Sequence, residues 1–426
     1  MAGLTLKKLE ESVAGSAAAF RCRAKLQPAG GDGDKVFPPT YAGAVYATEK
    51  RRLPGYDEPV ECVLLDSVQS QANRIEEALQ DAVDEGRIQI PVIEVDFSDI
   101  PIVEPGQGGE GLFEPIGRVT SLEAPHRVAD AILRDSELDG TPFRETPLGK
   151  QIGNATLRNA TPLFEICPTA LLLGLWDSTG PKGGLGTKFQ RALVSEIIGV
   201  DASYGTKTSS RIDPLAIKKD AGPIYETPDR GWTLTQSEAT QEKKKPKLKG
   251  KDGKPSEANH GNIVPSLSEI SRSGVPLAGG VTIAHAEQMT VVSLPALRRL
   301  QFPLDRKMSA DVNHAARTVV AALGLCGAAL AADRGLDLRS RCLLWPTGPL
   351  TWELLDRPGQ PSVSFELDAE AAIKLLAESV QKATKLGLPW LKEPLQLKPA
   401  KKLVELVRKS QELAILSGEG GEGGGT

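Results

Sequence analysis

The sequence predicts an α+β fold with helices on one face of a mainly antiparallel sheet. Two stretches support this prediction. The apolar run Val60–Leu65 is followed by capping residues and a helix to about Val83, with apolar side chains at helical spacing. Later, a strand over 288–294 precedes a long helix over Ser309–Ala332, and two short strands precede a helix over Asp368–Leu386. Strands and helices that alternate with long insertions favour a sheet covered by helices on one side.

The remaining segments are assigned in chain order. Leu4–Ala18 contains a short helix, and the rest of the first 59 residues is mixed and rich in Gly and Pro. The run ALLLGLW within Pro162–Trp176 predicts a buried strand, and the Gly-rich stretch Asp177–Thr187 predicts a loop. Lys188–Ile198 is assigned as a short helix with its apolar side chains inward.

Composition and charge are those of an ordinary soluble protein. The 426 residues are 40% hydrophobic and 25% charged, with a net charge of −4 and 4% aromatic residues. The five cysteines lack CxxC spacing, which indicates a reducing, cytoplasmic compartment. The N-terminus does not resemble a signal peptide. The most apolar stretch, Thr318–Ala332, is shorter than the roughly 20 residues of a membrane span. We therefore predict a buried helix there and no membrane association.

Signatures of catalysis and metal binding are missing from the sequence. The four histidines are far apart, and none has a metal-ligand spacing. The GxSxG and HExxH motifs do not occur. We expect no metal, no cofactor and no enzymatic activity. The alternative is an RNA-processing ribonuclease or a phosphate-binding α+β enzyme.

Three segments have residues suited to binding phosphate. The stretch Gly180–Lys188 (GPKGGLGTK) is not a Walker motif, but backbone amides in a Gly-rich turn favour anions. In the predicted helix after it, Lys188, Arg191 and Ser195 share one face. The alternative for this stretch is a flexible loop beside a solvated basic face.

The second segment begins the first predicted long helix. Gln69, Ser70, Asn73 and Arg74 line up beside the apolar stripe, and such groups suit phosphate and ribose contacts. The third segment, 205–213 (GTKTSSRID), is a run of hydrogen-bond donors that ends in one acid. On pattern alone, an exposed helix face and a plain surface turn are the alternatives for these two segments.

Six separated segments together resemble one protein family. They are LLDSVQSQANRIEEAL (64–79), HRVADAILRDS (126–136), PTALLLGLWDSTG (168–180), KFQRALVSEIIG (188–199), SSRIDPL (209–215) and VVSLPALRRLQFP (291–303). The family is the backbone subunit of the type I-G (formerly I-U) CRISPR Cascade complex, within the RAMP superfamily. The resemblance covers roughly residues 40–345.

The resemblance implies a hand-like fold with a ferredoxin-like, RRM-like palm, and large insertions that form a thumb and loops. It implies that copies stack along a CRISPR guide RNA, which then pairs with target DNA. The other implied partners are a large subunit, a fused small and guide-processing subunit, and a helicase-nuclease. The implied division of the chain is palm (1–96), thumb (97–160), palm with the Gly-rich loop (161–212), irregular Lys-rich insertion (213–265), palm (266–415) and disordered tail (416–426).

Site residues follow from placing the family's motifs on this sequence. The expected RNA-binding residues are Gln69, Ser70, Gln71, Asn73, Arg74, His126, Arg127, Ser178, Lys182, Thr187, Lys188, Arg191, Ser209, Ser210 and Arg211. The aromatic signature of standard RRM sheets is absent. We therefore expect binding by polar and basic loops rather than by stacking on the sheet.

Overall fold

A computed structural model describes the chain except for residues 1–2, 44, 105–109, 181–185, 269–278 and 418–426. The helices are α1 (Leu6–Ala14), α2 (Val68–Asp84), α3 (Ala131–Arg134), α4 (Pro147–Gly153), α5 (Thr161–Ile166), α6 (Thr169–Leu173), α7 (Leu294–Arg298), α8 (Ala310–Asp333), α9 (Ala369–Lys385) and α10 (Lys401–Ser417).

The strands of the first half are β1 (Ala19–Pro28), β2 (Thr40–Tyr41), β3 (Val45–Tyr46), β4 (Thr48–Arg51), β5 (Val60–Asp66), β6 (Ile93–Asp96), β7 (Arg118–Thr120), β8 (Ser136–Leu138), β9 (Thr141–Pro142), β10 (Leu175–Trp176), β11 (Lys188–Phe189), β12 (Leu193–Val200), β13 (Ser203–Tyr204) and β14 (Lys207–Arg211). Those of the second half are β15 (Tyr225–Glu226), β16 (Trp232–Thr233), β17 (Gln241–Glu242), β18 (Lys245–Pro246), β19 (Ile263–Ser268), β20 (Val281–Thr282), β21 (His285–Ser293), β22 (Leu336–Asp337), β23 (Leu343–Pro346), β24 (Thr351–Leu355), β25 (Val363–Glu366) and β26 (Leu395–Pro399).

The central sheet has a ferredoxin-like frame. Its strands lie in the order β24, β1, β21, β12, and every neighbouring pair is antiparallel. Helix α2 lies between β1 and β12 in the chain, and α8 lies between β21 and β24. The chain order is therefore strand–helix–strand–strand–helix–strand, which defines this fold. Strands β5 and β4 extend the sheet beyond β12. The predicted α+β class is confirmed.

Helix α8 forms the centre of the layer below the sheet. It packs against α1, α2 and α9, and its side chains are buried on nearly all sides. Two of its glycines allow close approach, since a Cβ at Gly324 or Gly327 would lie 2.8 Å from Leu172 or 2.7 Å from Ile75. Among the described helices it is the one long and apolar enough to span a membrane, but most of it is buried in the protein interior. The predicted buried helix is confirmed.

Several other predicted elements are also confirmed. Helix α2 begins after Ser67, whose hydroxyl accepts a hydrogen bond from the Ser70 amide, and α9 begins after Asp368 in the same way. The predicted apolar strand forms β5 at Val60–Asp66, and β21 contains the strand predicted over 288–294 except for its last residue, Leu294.

Two predictions around residue 190 are wrong. Lys188–Ile198 is not a helix but β11 and most of β12, where burial alternates from Leu193 onward and β-branched side chains favour the extended chain. The run ALLLGLW is not one strand. Its first part is α6, which Gly174 ends with a φ of 92°, and only Leu175–Trp176 is extended.

The two insertions also differ from expectation. Segment 97–160 forms a sheet with β6 and β26, and Leu112, Leu133 and Phe143 belong to the principal hydrophobic core. Segment 213–265 contains short hairpins with strands of two residues each, and Lys247 pairs with Glu226 at 2.6 Å. The chain is helical to Ser417 within the predicted tail, and 418–426 lie outside the described residues.

Candidate nucleic-acid interface

Strand β1 presents a row of cations on the face of the sheet opposite the helices. Its side chains alternate, so that Phe20 and Cys22 point into the core while Arg21, Arg23 and Lys25 point outward. Sequence reasoning missed this strand and its cations. The strict alternation of apolar and polar residues over 20–28 is the signal that could have found them.

The same open face also exposes apolar side chains. Met289 lies opposite Arg23 in the strand register, and exposed Trp345 lies opposite Gln27. The cations are partly balanced, since Arg21 pairs with Glu353 at 2.9 Å and Arg23 with Glu287 at 3.5 Å. The open face can therefore offer both charge and apolar contact to a ligand.

The start of α2 divides the residues predicted there into two groups. Gln69 and Asn73 are exposed and Ser70 is half-buried, as an RNA-contacting surface requires. Gln71 points inward, which contradicts its predicted role. Its amide donates to Asp66 at 2.6 Å, and its carbonyl accepts from the Ser195 hydroxyl at 2.8 Å.

Arg74 also has a structural position. Its Nε donates to the buried Asp66 carboxylate at 3.0 Å, and its terminal nitrogens donate to the carbonyls of Asp337 and Leu338. These bonds tie α2 to the end of the sheet. The Arg74 side chain lies about one turn from Gln71 on the inward side of the helix, so these two residues of the polar motif bind within the protein while Gln69 and Asn73 stay exposed.

Arg127 is buried, a position that does not favour its predicted contact with RNA. It forms a two-pronged ion pair with Glu76 at 2.6 and 2.7 Å, and it donates to the Gly174 carbonyl at 3.2 Å. Burial raises the pKa of the Glu76 carboxyl to about 7, and the Arg127 guanidinium opposes this shift. His126, the neighbour predicted with it, is exposed.

The β10–β11 hairpin holds the Gly-rich segment. Leu175 and Phe189 are buried, whereas their strand neighbours Trp176 and Lys188 are exposed, with the Lys188 amine 5.5 Å from the centre of the Trp176 ring. Lys188 is thus available to a ligand, as predicted. Sequence reasoning missed Trp176.

Other residues predicted in this segment have mixed positions. Ser178 is exposed, but Thr187 is buried and its hydroxyl donates to the Gly153 carbonyl at 3.0 Å. Lys182 lies outside the described residues. Arg191 is half-buried and donates to the Leu173 carbonyl at 3.1 Å, and burial lowers its pKa.

An extension inserted between β12 and β21 carries the third predicted group. Ser209 and Ser210 are exposed on β14, which pairs with β19. Arg211 faces Asp213 at 3.8 Å, and Asp213 accepts hydrogen bonds from backbone amides, including that of Gly261 at 2.7 Å. These amides lower the pKa of Asp213, although its desolvation opposes the shift.

The surfaces are spread along the sheet rather than gathered in one pocket. The hairpin bearing Lys188 precedes β12 and the β14 serines follow it, so they lie near opposite ends of a strand that is roughly 25 Å long at about 3.3 Å per residue. Among the described residues, no group of three or more His, Cys, Asp or Glu side chains could hold a metal ion. The arrangement suits an extended ligand.

Comparison with known proteins gives one family match. Residues 20–204 match the model of a family described as CRISPR-associated protein GSU0053. The matched region begins at β1, includes α2 and the β10–β11 hairpin, and ends at β13, a little under half of the chain. No curated protein matches the sequence. This part of the chain is therefore similar to a CRISPR-associated family.

Proposed function

We propose that this protein is a CRISPR-associated, non-catalytic, cytoplasmic subunit that binds guide RNA and forms the backbone of a type I-G Cascade complex. The observation that carries the proposal is the open, cation-bearing face of a ferredoxin-like sheet in a chain that matches a CRISPR-associated family. Arg21, Arg23 and Lys25 can neutralise phosphates of any sequence, as a protein that accepts every guide must do.

Polar groups outside the open face supply further candidate contacts. Gln69 and Asn73 can bond ribose hydroxyls, Lys188 can pair with a phosphate, and Ser209 and Ser210 can bond the backbone at the far end. The protein would hold the guide by its backbone, so that its bases remain free to pair with target DNA. The large subunit, the fused small subunit and the helicase-nuclease remain proposed partners.

The extension at 201–284 suits the role of thumb better than segment 97–160 does. It leaves the frame between two adjacent central strands, β12 and β21, whereas 97–160 contributes side chains to the principal core. Ile212, Val264 and Leu267 of the extension are 90%, 80% and 72% exposed. Exposed apolar side chains that form a contiguous patch mark an interaction site, and three such side chains on one extension are candidates for it. We infer that the extension contacts the next copy along the guide.

A double substitution of the extension tests its role in assembly. Val264→Ser with Leu267→Ser should leave RNA affinity for one copy nearly intact but prevent several copies from stacking, because the lost apolar contact is between copies. Light scattering on the RNA-bound protein measures this. Ile102→Ser, at an exposed site in 97–160, is the matched control and should assemble normally. If only Ile102→Ser prevents assembly, segment 97–160 is the thumb instead.

Purification of the full chain tests the proposed RNA binding. The protein should copurify with RNA of about 30–60 nucleotides, since several copies each cover the 4–16 nucleotides of a single-strand site. Its affinity for added guide RNA should fall steeply with salt. The absorbance ratio at 260 and 280 nm and a salt titration measure both. A nucleic-acid-free protein that ignores guide RNA, or turnover of RNA by the isolated chain, would contradict the proposal.

A further inference from the structure

We propose that Trp176 stacks on an unpaired base of the bound RNA, at a site separate from the sheet face. The inference rests on the proposed RNA binding and adds to it a contact with a base, which the cations of β1 do not provide. The juxtaposition that carries it is an exposed indole beside the Lys188 ammonium on a fixed hairpin.

The hairpin holds the indole in a defined place. Leu175 and Phe189 anchor its two strands in the core, so strand alternation directs Trp176 and Lys188 outward. Beyond Trp176, the Asp177 amide donates to the Thr187 carbonyl at 2.9 Å and extends the pairing by one step. A ring on a rigid support loses little freedom when a ligand binds it.

An arginine from outside the hairpin holds the residues that directly follow β10. Arg144 donates to the Asp177 carboxylate at 2.9 Å and to the Thr179 carbonyl at 2.9 Å. Asp177 in turn accepts from the Thr179 amide at 3.2 Å. The hairpin therefore has hydrogen bonds on its inner side, while its outer side carries the exposed ring.

The surroundings of the ring suit a nucleotide. Trp176 is 58% exposed even though Lys188 lies over part of it. Lys188 also lines a recess of about 240 Å³, together with Leu157, Gln190 and Arg299 among others. The flat ring can bind a base and the Lys188 ammonium its phosphate, while the amide and guanidinium of the recess that Lys188 lines offer further polar contacts.

These groups favour RNA over a protein partner. An apolar protein surface would bring no charge to match Lys188 and Arg299, whereas a nucleotide brings both an aromatic ring and a phosphate. A tryptophan ring can also stack on any of the four bases, which is compatible with a guide of any sequence.

Fluorescence anisotropy on the full chain, freed of bound RNA, tests the site. The probe is a labelled single-stranded RNA of roughly 30 nucleotides. Trp176→Ala should weaken binding about five- to tenfold and leave the salt slope unchanged, because no phosphate contact is lost. Trp176→Phe keeps a flat ring and should bind within about twofold of wild type. Lys188→Ala should instead lower the magnitude of the salt slope by about 0.7.

A second probe separates stacking from other effects. On an RNA backbone whose sites are abasic, wild type and Trp176→Ala should bind equally. Unchanged affinity of Trp176→Ala for the normal RNA, or an equal loss with Trp176→Phe, would overturn the stacking site while RNA binding itself stands. Failure of the wild type to bind the RNA would instead refute the proposed function. A change in self-association of the RNA-free variant would assign Trp176 to a protein contact and also overturn the site.

Discussion

Replacement of Arg127 with methionine is expected to lower the free energy of unfolding by about 3–5 kcal/mol. The substitution removes the partner of Glu76 and leaves a buried carboxyl group that no longer has its two short ion-pair bonds. Urea denaturation of the purified protein measures the change. Because Arg127 is 6% exposed, RNA binding by the folded fraction should not change.

The loss of stability caused by Arg127→Met should depend on pH in a defined direction. Burial already raises the pKa of Glu76 to about 7 in the wild type, and removal of Arg127 removes the opposing charge. The pKa of this carboxyl group is higher in the folded than in the unfolded state. Such a group favours folding most at a pH below its unfolded pKa, and this contribution to stability is lost as the pH rises through the folded pKa. The variant should therefore be closer to the wild type at pH 5 than at pH 8.

Two variants control for the other effects of the change. Adding Glu76→Leu to Arg127→Met should restore much of the stability, because both buried charges are then gone. Arg334→Met removes an exposed ion-pair partner of Glu77, which lies next to Glu76 on α2. This substitution should lower the free energy of unfolding by less than about 1 kcal/mol. A loss with Arg127→Met no larger than that with Arg334→Met would show that the buried pair does not stabilise the fold.

Replacement of the three outward cations of β1 is expected to weaken guide-RNA binding on the order of 100-fold. Arg21→Ala, Arg23→Ala and Lys25→Ala together remove the charges of the open face without a change in its buried side chains. The salt slope should fall in magnitude by about 2, since each single-strand phosphate contact contributes about 0.7. Anisotropy titrations at several salt concentrations measure both values, and guides of different sequence should be affected alike.

The matched control removes the same charge elsewhere. Lys401, Lys402 and Lys409 lie exposed on α10, and alanine at all three changes the net charge as the β1 variant does. This control should keep most of its RNA affinity. If the two triple variants lose affinity equally, binding reflects overall charge, and the open face is not the site.

Much of the fold could be predicted from local sequence patterns. The caps Ser67, Ser309 and Asp368 mark helix starts, because their side chains accept hydrogen bonds from the first free amides. The apolar run before Ser67 predicts β5. The segment Lys188–Ile198 shows the limit of such patterns, because a short apolar run fits both the helical and the strand periodicity. Its pairing with β5 and β21 in the sheet determines that it is a strand.

The candidate site was less predictable than the fold. Ser209, Ser210 and Lys188 were predicted from residue type and are exposed, but Gln71 and Arg127 belong to residue types equally suited to buried networks. A helix pattern of polar residues does not show which side meets the sheet when both sides are polar. The cations of β1 were not predicted as site residues because the strand that carries them was not predicted.

The sequence by itself determined the α+β class, the main helix starts and the resemblance to a CRISPR-associated family. These depend on neighbours along the chain, whose spacing the sequence displays directly. Only the tertiary structure decided that Arg127 neutralises Glu76, that Arg74 ties α2 to the sheet, and that β1 lies between β21 and β24 with its cations outward. The reason is that burial and ion pairing depend on contacts between residues far apart in the chain, and those contacts decide which polar side chains are left to meet RNA.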